Sequence, residues 1–210
     1  MAHAIGGKDA AFVAATRGPA PVPFAYLGGK HMVTGYDHLL FLLGVIFFLR
    51  RFRDVAIYVS LFSLGHSITL LAGVLGGFGF NAYLVDAVIG LSVVYKAFDN
   101  LGGFERTIGA RPDPRLMVFG FGLIHGLGLA TKLEELRLNP NGLFVNLVSF
   151  NIGVELGQVI ALSIVLALMV AWRRARWFGA TAIAANWIIM LAGFSLIGFQ
   201  LAGYFLTKGA

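Results

Sequence analysis

The sequence contains no cysteine. Disulfides, thiolate metal relays and cysteine nucleophiles are therefore outside its chemistry. Methionine is scarce: five residues, forming no stripe, offer no thioether path for Cu(I). Charge is scarce too, with 12% charged residues against 58% hydrophobic. A soluble domain of 210 residues could not cover so much apolar surface. Mean hydropathy of +0.82 agrees, and the chain is expected to be an integral membrane protein in contact with the lipid bilayer. The net charge of +6 and the pI near 9.9 do not indicate a nucleic-acid partner. The basic residues sit in short loops between apolar runs, which is a topology signal. No basic start followed by a long apolar core is present, so a signal peptide is not expected.

Six apolar stretches are present, at about residues 32–49, 55–76, 82–98, 116–132, 143–172 and 181–206. A helix crossing the hydrocarbon needs roughly 20 residues. The expected fold is all-α: a polytopic membrane protein with a six-helix transmembrane bundle over residues 31–210. Residues 1–30 are rich in Ala, Gly and Pro and are expected to form an extended or poorly ordered extracytoplasmic tail. Its Met-Ala-His3 start could chelate Cu(II) or Ni(II) through the amino terminus.

Arg50, Arg51 and Arg53 follow the first stretch, Arg106, Arg111 and Arg115 the third, and Arg173, Arg174 and Arg176 the fifth. The intervening loops are poor in basic residues. The positive-inside rule makes these three clusters cytoplasmic and both termini periplasmic, in a bacterial inner membrane crossed several times.

Ionisable side chains inside such stretches are expensive and need a partner or a function. His31, Asp37 and His38 open the first stretch, and His66 lies midway in the second. The third holds Asp86, the fourth His125 and the fifth Glu155. At 1.5 Å per residue, His66, His125 and Glu155 fall near the midplane, and Asp37, His38 and Asp86 in the outer half. In a continuous helix His31 and His38, seven apart, share one stripe. A lone membrane histidine is often an interhelical hydrogen-bond donor. Four of them with three carboxylates at agreeing depth point to a metal or proton site. Imidazole and carboxylate suit Ni2+, Co2+ or Zn2+ better than Cu(I), Ca2+ or Mg2+. The candidate ligands are thus His31, Asp37, His38, His66, Asp86, His125 and Glu155. Asn151 and Gln158 flank Glu155 at helical spacing and are expected to orient ligands, as is Ser67 beside His66. Ser60, Ser63 and Ser67 make one face suited to helix packing or a water-lined path. Gly122 and Gly126 form a GxxxG pair for close helix approach. Lys96 and Asp99 read as an i, i+3 ion pair.

His31-x5-Asp37-His38 followed by Leu-Leu-Phe-Leu-Leu resembles the first-helix signature of the HupE/UreJ family of membrane proteins. The segments Phe62–Leu70, Phe121–Ala130 and Phe150–Gln158 resemble that family too. The resemblance implies nickel or cobalt permease activity linked to hydrogenase or urease maturation. It also implies that His31, Asp37, His38 and His125 matter for the metal. Gly128 stands where better-studied nickel permeases carry Glu, and Asp86 where Glu is common. Three functions compete. The first is a permease for a divalent transition metal, which is not an enzyme. The second is an intramembrane zinc-type metallohydrolase, with Ser67 in support. The third is a metal-stabilised accessory subunit of a membrane complex. A second copy of the chain or such a complex would be its protein partner.

Overall fold

The structure is a computed structural model that describes residues 7–49, 51–136 and 138–208, the side chain of Lys208 apart. His3, Arg50 and Arg137 lie outside the described residues. Among those described there are nine helices and no strand: α1 (Gly7–Ala15), α2 (Pro21–Thr34), α3 (Tyr36–Ile46), α4 (Phe52–Gly76), α5 (Ala82–Asn100), α6 (Gly103–Ile108), α7 (Pro114–Glu135), α8 (Leu143–Arg173) and α9 (Phe178–Lys208). Local chemistry sets several ends. Asn81 accepts from Leu84 N at 3.2 Å and Asp113 from Arg115 N at 2.8 Å, capping α5 and α7. Gly77, at φ 65°, ends α4 in the left-handed conformation that glycine reaches without strain.

Four helices, α4, α7, α8 and α9, are long and apolar enough to cross a membrane. The chain is therefore an all-helical membrane protein. Helix α3 is apolar but short, and the 19-residue α5 carries Asp86, Lys96 and Asp99. Five of the six expected stretches coincide with α4, α5, α7, α8 and α9. The first is divided at Gly35, which adopts an extended conformation between α2 and α3. His31 and His38 therefore do not share the stripe of one continuous helix.

The expected extended tail is also corrected: residues 7–15 and 21–34 are helical. Pro21 and Pro23 sit in the first turn of α2, where a missing N–H costs nothing. Tertiary contact does the rest. Helix α2 packs along α8. The Asn146 side chain ties the segment ahead of α2, accepting from Ala20 N at 2.6 Å and donating to Gly18 O at 3.1 Å.

Three helix pairs dominate the packing: α4 with α7, α2 with α8, and α5 with α9. Each is a glycine contact. A methyl group on Gly122 would strike the Phe62 carbonyl, and one on Gly126 the His66 carbonyl and Thr69 Oγ1. The GxxxG expectation for this pair is met. Thr69 Oγ1 adds a bond across it, donating to Leu123 O at 2.6 Å. On the second pair, Gly28 meets the Phe150 carbonyl and Gly153 that of Ala25. Helix α3 lies among α2, α4, α5, α8 and α9. Arg173, at the end of α8, donates to the carbonyls of Ile46, Phe47 and Leu49, each at 2.7 Å. The Ile46 carbonyl also accepts from Leu49 N at 3.1 Å, so the guanidinium braces the turn that follows α3.

Candidate metal centre

The break at Gly35 builds the centre. Gly35 N donates to His31 O at 2.9 Å, closing α2, and α3 starts at once with Tyr36. Asp37, in the first turn of α3, accepts from His38 N at 2.8 Å and lies 3.1 Å from His38 Nδ1. A carboxylate only accepts, so His38 Nδ1 donates, and in the neutral ring Nε2 carries the lone pair. A methyl group on Gly35 would come within 2.8 Å of His38 Nδ1 and 3.3 Å of Asp37 Oδ1. Glycine is required here for space, since its φ of −76° suits any residue.

His38 is the hub of four imidazoles from four helices. Its ring centroid lies 5.1 Å from His31 on α2, 6.0 Å from His66 on α4 and 4.9 Å from His125 on α7. Three of the rings, His38, His66 and His125, are completely buried, and His31 is 8% exposed. His31, His38 and His66 each offer a ring nitrogen, and the three atoms lie within 4.8 Å of one another. Ligands of a tetrahedral ion at 2.0–2.1 Å stand about 3.4 Å apart. Closing around an ion thus needs movements of roughly 1 Å or less. His125 Nδ1 donates to Phe121 O at 2.8 Å, which turns its Nε2 lone pair outward. Neither nitrogen of His66 is in hydrogen-bonding geometry with a described group. Asn151 lies beside His66 and accepts from Ser67 Oγ at 3.1 Å. Phe41 and Phe62 wall the rings, with centroids 5.5 and 5.0 Å from that of His125.

Two carboxylates stand differently. Asp86 Oδ2 accepts from Lys132 Nζ at 2.7 Å, so this acid is held in an ion pair between α5 and α7. Glu155 is exposed, and it lines a groove with Ser60, Ser63, Ser67 and Gln158. Gln158 is fully buried and accepts from Ser63 Oγ at 2.5 Å. Neither acid is among the residues whose ligand atoms converge with those of His31, His38 and His66. The ion pair Lys96–Asp99 is present at 2.5 Å. The sequence reading did not identify Gly35, Phe41, Phe62 or Lys132. Only Lys132 left a signal, as a lone cation at the end of an apolar stretch.

These features define a class: a helical membrane protein with a buried polyhistidine centre assembled from separate helices. The chain belongs to the HupE/UreJ family, since the family model described as HupE / UreJ protein matches residues 7–208. No curated protein and no solved structure matches the chain. Membership supports a metal-transport role, and the histidine cluster supports metal handling.

Proposed function

We propose that the protein is a permease for Ni2+ or Co2+ in a bacterial inner membrane. The ion is the cargo, bound by His31, His38, His66 and His125, with Asp37 orienting His38. The reading is carried by the convergence of three imidazole nitrogens within 4.8 Å, inside a bundle whose other contacts are largely apolar. A nitrogen-rich site of neutral imidazoles suits late first-row divalent ions. It sheds charge onto few carboxylates, which keeps binding weak enough to release the ion. In this reading six helical passes cross the membrane, α2 with α3 counting as one, and both termini face the periplasm. Ser67 and Asn151 orient His66. Asp86, paired with Lys132, and the exposed Glu155 lie outside the ligand set.

Transport requires that the ion pass through the site. Metal accumulation in cells producing the protein should exceed that in cells producing His38→Ala, at equal membrane levels of both. Equal accumulation refutes the permease reading. The hydrolase reading gains less support, because the Ser67 hydroxyl is engaged with Asn151.

A further inference from the structure

Glycine contacts close α4 on α7 and α8 on α2, and α4 and α8 touch each other only lightly. The seam between them stays open as a groove of about 440 Å³. Its polar lining is Ser60, Ser63 and Ser67 from α4, with Glu155 and Gln158 from α8. The serines follow i, i+3 and i+7 spacing, so they run about 10 Å along one face of α4. They lead from the level of His66 towards the helix end that carries Arg51 and Arg53. Glu155 is exposed in the groove, and no basic residue is in the described lining. The groove therefore carries a net negative charge.

Glu155 stands about 18 Å along α8 from Leu143, near the midplane. A carboxylate at that depth faces protein or a water-filled cavity rather than hydrocarbon. Gln158 is a second sign of water. It is fully buried in the groove wall, its Oε1 is taken by Ser63, and its Nε2 has no hydrogen-bonding partner among the described residues. A buried amide left half satisfied marks a wall that meets water. Ser67 joins the groove to the imidazoles, donating to Asn151, which lies beside His66. We propose that this groove is a water-filled release chamber for the divalent cation. Glu155 holds the ion through its bound waters, and the Ser67–Asn151 pair is the septum between the chamber and His66. The proposal rests on the permease reading, in which the Arg51 end is cytoplasmic. At about 30 Å³ per water, an ion with six waters takes roughly 200 Å³, which the groove accommodates. One carboxylate among neutral oxygens holds a hydrated ion loosely. Late first-row ions prefer imidazole nitrogen, so the chamber adds nothing to resting affinity and takes the ion only as it leaves.

The chain has no cysteine, so one introduced thiol reports without background. Ser60 is exposed in the groove, and Ser60→Cys is the reporter. Leu156→Cys, at an exposed position of α8 outside the lining, is the lipid-facing control. The full chain in nanodiscs is labelled with a methanethiosulfonate that carries a trimethylammonium group. Ser60→Cys should react about tenfold or more faster than Leu156→Cys, because lipid keeps a thiol protonated. Adding Glu155→Gln should slow this cationic reagent about tenfold and leave a neutral one unchanged, as expected on losing a unit charge a few ångströms away. Co2+ should protect Ser60→Cys, and the protection should vanish with Glu155→Gln. Equally slow labelling at both positions overturns the chamber, since the groove then faces lipid or a second copy of the chain. A cationic rate indifferent to Glu155→Gln, or protection that survives it, overturns the role of the carboxylate. Labelling and protection are read without transport. A failed uptake assay with both intact would strike the permease reading alone, and their loss with uptake intact would strike the chamber alone.

Discussion

Replacing Gly35 with alanine separates the stability of the fold from the function of the centre. The backbone there, φ −76° and ψ 98°, is open to alanine. Losing glycine's freedom in the unfolded chain should stabilise the protein by about 0.4–1 kcal/mol. Against this, the new methyl would stand 2.8 Å from His38 Nδ1 and 3.1 Å from the His31 carbonyl. An ordinary carbon contact is about 3.5 Å, so the His38 ring must retreat by roughly 0.7 Å. Overpacking of this kind costs about 1–3 kcal/mol. The net loss of stability is therefore expected to be small, about 2.5 kcal/mol at most. The centre should suffer more, because sites are held to about 0.5 Å. His38 is the hub of four rings and its carboxylate partner moves with it. Co2+ affinity should fall about tenfold to a hundredfold, the loss that goes with a misplacement approaching 1 Å. Isothermal titration in detergent gives the affinity, and thermal unfolding of the same sample gives the stability. Wild-type affinity in Gly35→Ala would refute the claim that the helix break places His38.

Gly126→Ala should lower stability by about 1–3 kcal/mol, because its methyl meets the His66 carbonyl and the α4–α7 contact must open; denaturation in detergent reads this. Asp86→Asn should destabilise by about 3–5 kcal/mol by leaving the Lys132 ammonium partnerless, and the double variant Asp86→Asn with Lys132→Met should recover much of it. Neither single change should alter metal stoichiometry, measured by elemental analysis. Glu155→Gln should leave Co2+ affinity unchanged within about twofold, since the side chain is on the exposed groove.

Much of this was legible in the sequence because hydrophobicity and ionisable groups inside it are strong signals. The stretches at 55–76 and 143–172 fall on α4 and α8 within a few residues. His31, His38, His66 and His125 were each singled out, and they meet. What escaped depends on three-dimensional neighbours. The α2–α3 break needs Gly35 to be crowded by His38, which no periodicity reveals. The helix over residues 21–34 is stabilised by α8, through contacts such as Gly28 on Phe150, so local composition read it as tail. The Asp86–Lys132 pair joins residues 46 apart on different helices, a link that no spacing in the sequence reveals. Glu155 shares a stripe with Asn151 and Gln158 in sequence, yet the helix turns the two amides inward and leaves the acid outside.

The central claim is that imidazoles from separate helices share one divalent ion. Metal-edge X-ray absorption on the Ni2+- or Co2+-loaded protein tests it most directly. The spectrum should show at least three imidazole nitrogens on a single ion, and the imidazole pattern should be lost in His38→Ala. An ion surrounded by oxygen alone, or a protein that retains no stoichiometric metal, would contradict it.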